Sequence, residues 1–243
     1  AYKVHPYRWP TIGKEISHIE NATLEDVKTF FYKHYAPNNA ILSIAGNISF
    51  EDAVRLTEKW FGSIPKRNIA ARNLPEEPEQ KESRFLEVYR SVPLDAITKA
   101  WHMCRRTDKE YHSYDLLSDI LSNGRSSRLY RHLVMERKMF SDIDASITGD
   151  IDAGLFVVTG RLNKGISDVV VAGTHAADEA IKREVSALME ETIEKQELEK
   201  VVNKFESNHL FSNINYLNKA TNLAYHELIG QAEDINEEVK KYW

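Results

Sequence analysis

The sequence predicts an α+β protein built in two parts, and three observations carry that expectation. Strand-forming runs come as neighbours joined by short turns, at residues 84–92 with 96–103 and at 141–148 with 155–161. Apolar residues at helical spacing fill much of the remaining chain. A proline-rich, charged stretch over residues 63–83 separates a first block from a second.

In the first block, residues 5–13 (HPYRWPTIG) hold two prolines and a glycine, which punctuate an irregular segment. A helix is expected from Thr23, whose hydroxyl can accept an early backbone N–H, with Asp26 at the capping-box position. Leu24, Val27, Phe30 and Phe31 recur at helical spacing, and Pro37 closes the segment. Residues 39–46 (NAILSIAG) are short, apolar and rich in strand formers, which predicts a buried strand. Ser49 with Asp52 opens another helix carrying Phe50, Val54, Trp60 and Phe61, stopped by Gly62.

The stretch 63–83 contains Pro65, Pro75 and Pro78 and the charged run EEPEQKE. It has too little apolar surface to offset its own ordering entropy, so it reads as a linker.

In the second block, the strands 84–92 and 96–103 flank a turn at Pro93-Leu94-Asp95. Helices are expected over 111–121, stopped by Asn123-Gly124, and over 126–138. GDIDAG joins the next two strands, with Asp150 and Asp152 as turn residues. Ser167 is expected to cap a helix reaching about Met189. An uninterrupted helical pattern then spans 195–228, with a kink or change of partner signalled by the five-residue step from Phe205 to Leu210.

The 243 residues are 42% hydrophobic and 28% charged, enough apolar material for one large core or two small ones. A formal charge of −5 gives no general reason to bind nucleic acid or an anionic membrane. No apolar run approaches the roughly 18 residues of a membrane span. Cys104 is the one cysteine, so no intrachain disulfide can form, and cytoplasm and periplasm are both compatible with that. The chain opens on Ala1 and closes soon after a new amphipathic stretch begins, so both ends are expected to be cuts in a longer protein.

The chemistry-bearing residues assemble no catalytic pattern. A zinc peptidase helix needs two imidazoles one turn apart with a glutamate beside them. Neither H-E-x-x-H nor H-x-x-E-H occurs, and His226-Glu227 is followed by Gly230 where a second His belongs. His132 and Glu136 lie one turn apart and read as a surface pair, and His209 and His226 as solvated or packed. No phosphate-cradling loop, nucleophile elbow or dinucleotide fingerprint is present. Cys104 reads as a buried structural cysteine on an apolar strand. Arg125 and Arg128, at a helix stop and start, read either as donors for a substrate backbone or carboxylate or as a helix start with an arginine bridging two elements.

Several segments together resemble the pitrilysin/insulinase zinc peptidases, which include mitochondrial processing peptidase. They are HPYRWPTIG, IENATLEDVKTFFYKHYAPNNAILSIAGNIS, GRSSRLYRHLVMERK and GDIDAGLFVV, in order along essentially the whole chain. The resemblance implies two-layer α/β domains, each a mostly antiparallel sheet with helices packed on it and both truncated here. Residues 1–70 would end the first peptidase domain, 71–82 would link, and 83–243 would form most of a homologous second domain that binds no zinc. The family's zinc ligands and general base belong upstream of the HPY segment, so zinc is expected in the intact protein and none in this stretch. In that protein the resemblance implies a zinc-polarised water attacking a peptide carbonyl.

The substrate implied is a peptide in a closed chamber, with His5, Tyr7, Arg125 and Arg128 as candidate chamber contacts. The family's complementary halves carry an Arg and a Tyr seven residues apart near the substrate. Val134 and Ser141 stand there, so the resemblance implies a second half, in the same chain or a partner, that supplies the pair. The rival reading is a non-catalytic scaffold or assembly subunit of the same family. A third is a helical adaptor built on residues 195–228. An upstream H-x-x-E-H with its downstream Glu separates the enzyme from the scaffold, and a compact two-domain fold leaves the adaptor little room.

Overall fold

The computed structural model describes residues 1–149, 151–165 and 170–243, so the turn role of Asp150 and the cap role of Ser167 lie outside the described residues. A 3-10 turn at Pro6–Arg8 precedes α1 (Ser17–Glu20), α2 (Leu24–His34) and α3 (Phe50–Phe61). Then come β1 (Ala96–His102), α4 (Tyr111–Ser122), a π-helix at Tyr130–Glu136, β2 (Phe140–Ile147) and β3 (Leu155–Leu162). The chain continues through α5 (Val170–Glu190), α6 (Lys195–Ser212) and α7 (Tyr216–Ile229) to a 3-10 turn at Val239–Tyr242. Two compact units result: a sheet unit of Phe85–Phe211 with Asn236–Trp243, and a helical unit of Tyr2–Arg84 with Ser212–Ile235.

The sheet unit is a three-stranded antiparallel sheet in the order β1-β3-β2, with helices packed on it. Alternation along β3 explains why, among the described residues, one face is covered. Phe156, Val158, Gly160 and Leu162 are buried, while Thr159 and Arg161 are exposed. In register with the buried set are Ile143 and Ala145 of β2, with the exposed set Asp142 and Asp144, and with the half-buried Val157 the exposed Ser146.

The covered face meets Leu121, Leu129, Leu133, Ala177, Ala180 and Ile181, all essentially inaccessible to solvent. Each larger aliphatic so buried is worth roughly 1.5–3 kcal/mol. Gly160 is required where it stands, because a Cβ there would come within 2.6 Å of the Phe140 ring. Phe140 fills that space across a register shift in the β2–β3 ladder.

In the helical unit the local signals work as expected. Thr23 Oγ1 accepts from Asp26 N at 3.2 Å and the Asp26 carboxylate accepts from Thr23 N at 2.9 Å, completing the capping box. Ser49 Oγ accepts from Asp52 N at 3.1 Å to open α3. Yet neither α2 nor α3 contains a buried residue.

Five expectations are corrected. Residues 39–46 and 84–92 do not form strands. A strand exists only through its ladder, and neither segment is paired by other described residues; Ile41, Leu42, Phe85 and Leu86 are exposed. The helix over 126–138 is a π-helix through its middle, with Arg137 N donating to His132 O at 3.0 Å. The helical pattern over 195–228 is two helices, broken at Asn213–Asn215. Asn215 Oδ1 accepts from Leu217 N at 2.8 Å and Asn218 N at 3.3 Å, capping α7, so the break falls after the Phe205–Leu210 step. Cys104 stands two residues past β1 and is half-buried, and burial pushes its thiol up.

Candidate functional site

The four candidate contact residues divide between the units. In the helical unit His5 is buried and N-caps the Pro6–Arg8 turn, its Nδ1 accepting from Tyr7 N at 3.2 Å. The Tyr7 ring, half-buried, meets the His5 ring edge-on at 4.2 Å. The two prolines of the motif hold this turn open as a 3-10 element instead of letting a helix propagate.

In the sheet unit Gly124 takes φ +95° and turns the chain after α4. Ser127 Oγ donates to Gly124 O at 2.6 Å and fixes the turn. Arg128, largely buried, forms a bidentate pair with Glu197 of α6 at 3.0 and 2.8 Å, with Glu191 at 3.5 Å. The Arg128 contact raises the guanidinium further and holds the Glu197 carboxyl below its usual range. The planar fork of Arg128 therefore fastens the start of the π-helix to α6. Arg125 is exposed and makes no ion pair among the described residues.

Val134 packs against the core, and Ser141 sits at the sheet rim with Oγ donating to Asp142 Oδ1 at 3.0 Å and Arg161 O at 3.2 Å. Neither carries a cation or a phenol. The solvent face of the sheet carries Asp142, Asp144, Ser146, Thr159 and Arg161 around the half-buried Val157, with Thr98 bonded to Thr159 at 3.2 Å. Where β2 meets α4, a cleft of about 410 Å³ is lined by Asp115, Asp119, Asp144 and three serines. Burial pushes the Asp119 carboxyl up, against a hydrogen bond from Asn123.

Two polar clusters were invisible in the sequence. His112 of α4 and Arg106 in the turn before it both contact Glu238 near the chain's end, at 3.3 and 2.5 Å. Burial works to raise Glu238, but the hydrogen bonds from His112 and Arg106 outweigh it and hold the carboxyl far below its usual range. Beside it Tyr242 donates to Asp115 and stacks on Phe205 at 3.7 Å, and burial pushes its phenol far up. Second, His132 Nδ1 lies 2.7 Å from Glu184 of α5, so His132 faces that buried carboxylate and not Glu136. Separations of 52 residues for one and more than 100 for the other leave no periodicity to read.

Among the described residues one trio could hold a metal by proximity, His175, Asp178 and Glu179 on α5. Its carboxylates are engaged otherwise. Asp178 bonds Lys99 and Lys182, and Glu179 bonds Lys182 at 2.6 Å. Burial raises Asp178, but the two lysines outweigh it and keep its carboxyl low, while Glu179 and Asp178 raise the Lys182 ammonium. Lys99 and Lys182 already pair with both carboxylates and the trio has a single imidazole, so the set does not fit a catalytic zinc.

Residues 21–205 match the family described as Peptidase M16 inactive domain. The chain belongs to that peptidase family. A curated relative, zinc protease PqqE of Helicobacter pylori, is 28% identical over 195 residues, covering 78% of this chain and 41% of its own length. The chain thus spans less than half of that relative. A probable mitochondrial-processing peptidase subunit beta of Schizosaccharomyces pombe is 38% identical over 64 residues, 26% of this chain and 14% of its own.

Among solved structures, a protease from Helicobacter pylori superposes with TM-score 0.86 at 24% identity, over 99% of this chain and 57% of that one. A peptidase M16 inactive domain from Pseudomonas fluorescens superposes with TM-score 0.80 at 18% identity, over 99% and 58%. The M16 fold, helices on a small antiparallel sheet, is therefore the fold of this chain. No helix among the described residues is long and apolar enough to cross a membrane.

Proposed function

We propose that this M16 chain is the non-catalytic part of a zinc metalloendopeptidase and forms wall and domain interface of a chamber in which peptides are hydrolysed. The observation that carries the reading is the one-sided sheet. Helices seal one face with a dry core, and the other presents carboxylates, hydroxyls and Arg161. A wall needs that asymmetry, because a sheet covered on both faces has no surface to offer a substrate.

On this reading residues 1–70 end the first peptidase domain, 71–82 link, and 83–243 form most of the second. Zinc belongs to residues that precede His5 in the intact polypeptide. Arg125 and Tyr7 are its solvent-accessible contacts to the peptide. His5 holds the Tyr7 turn and Arg128 holds the segment carrying Arg125. Val134 and Ser141 supply no cation or phenol near the reacting carbonyl, which supports a complementary half that brings an Arg/Tyr pair.

The scaffold reading shares the same wall, and the family's designation of this domain as inactive favours it for the isolated stretch. A quenched-peptide assay separates the two. The polypeptide carrying this chain with its upstream residues is expected to cleave peptides and to lose activity to a chelator, while residues 1–243 alone are expected to do neither and to bind no stoichiometric zinc. An inactive longer polypeptide with a complementary half present would establish the scaffold.

A further inference from the structure

Two side-chain contacts fasten the linker stretch inside the helical unit. At the first, Asn38 Nδ2 donates to Arg67 O at 2.9 Å and Asn38 Oδ1 accepts from Arg67 N at 3.0 Å, a side-chain imitation of a strand pair. The Arg67 guanidinium donates to Tyr32 O at 3.3 Å and Tyr35 O at 3.1 Å, carbonyls at the end of α2, and lies 4.5 Å over the Tyr32 ring. At the second, the half-buried Glu77 carboxylate accepts from three consecutive backbone N–H groups: Lys3 at 2.7 Å, Val4 at 2.7 Å and His5 at 2.8 Å. The segment bearing those donors is closed on itself, with Arg8 N donating to His5 O at 3.1 Å and Arg8 Nη1 to Lys3 O at 2.7 Å.

We infer that Glu77 is a clasp that converts the linker into a strap and positions the His5–Tyr7 turn. Three convergent N–H groups bind a carboxylate better than any neutral acceptor, since each hydrogen bond is charge-assisted. Pro75 and Pro78 flank Glu77 closely and fix φ on both sides, which lowers the entropy lost when the strap is held. Between Arg67 and Glu77 the chain is tied at both ends. Glu77 acts on the turn through the backbone of residues 3–5 and is a positioning residue, whatever the turn's part in a chamber.

The test uses the full chain, with Glu77→Ala and the milder Glu77→Gln. Tryptic cleavage after Arg72, between the two anchors, is expected to accelerate about tenfold or more in Glu77→Ala, as loss of hydrogen bonds to a charged acceptor requires. Amide exchange at Lys3, Val4 and His5 is expected to accelerate by a similar factor of about ten. Glu77→Gln is expected to fall between, because its amide oxygen keeps acceptor geometry and loses the charge. A merely structural role elsewhere would leave these three amides unchanged. Equal cleavage after Arg72 and equal exchange at residues 3–5 in all three proteins would overturn the clasp.

Discussion

In the sheet unit Leu133, Val158 and Ile181 are wholly withdrawn from water, whereas in the helical unit Phe30 and Trp60 remain 59% and 65% exposed. Both units carry well-formed local signals. The sheet unit converts its apolar residues into a shared core with buried ion pairs across it. The helical unit keeps capped helices whose apolar faces meet little. Local propensity and capping thus suffice to shape a helix, but burial decides how much that helix is worth.

If that contrast is right, the largest effect belongs to the core. Leu133→Ala is expected to lower stability by about 3–4 kcal/mol in urea unfolding, and Phe30→Ala by under about 1 kcal/mol. Comparable losses would erase the distinction.

Next comes the buried cluster at the end of the sheet unit. Glu238→Gln leaves Arg106 with a weaker partner and is expected to cost about 3 kcal/mol at neutral pH. Its carboxyl is held below its ordinary value of 4.5, so the stability it contributes is present above that value and is lost as pH falls below it toward the depressed folded-state value. An acid titration of stability should therefore be flatter in Glu238→Gln than in the parent over that range. A parallel pair of curves would remove Glu238 from the account.

Gly160→Ala should cost about 1–3 kcal/mol by forcing the Phe140 ring aside, and pairing it with Phe140→Leu should recover part of the loss. Smallest is the contrast between the two arginines. Arg128→Ala is expected to cost about 2 kcal/mol by abandoning the Glu197 carboxylate, and Arg125→Ala to stay within about 0.5 kcal/mol. Thermal melts of the two variants make the comparison directly.

The capping box at Thr23 was legible because it rests on contacts within three residues, and the α+β class because the strand-forming runs at β1, β2 and β3 do find ladder partners, β1 across about 60 residues. Strands 39–46 and 84–92 were misread because the same residue preferences predict an extended segment whether or not a ladder partner lies beside it. The break at Asn213–Asn215 was misplaced because an apolar step marks a change of partner, while the actual stop is a side-chain cap. At the site, Arg125 and Arg128 were found by their position at a helix boundary, but their different fates turn on Glu197, 69 residues from Arg128. Glu77 looked like one charge in a solvated run, since nothing local announces the three N–H groups it meets.

Amide hydrogen exchange on the intact chain, with and without added zinc, probes the central contrast most directly. Slow exchange in α4, β3 and α5, faster exchange in α2 and α3, and no change with the metal are expected. Equal protection in α2 and α3 would contradict a chain whose stability lies in the sheet unit, and zinc-dependent slowing anywhere in residues 1–243 would contradict the proposal that zinc is held outside them.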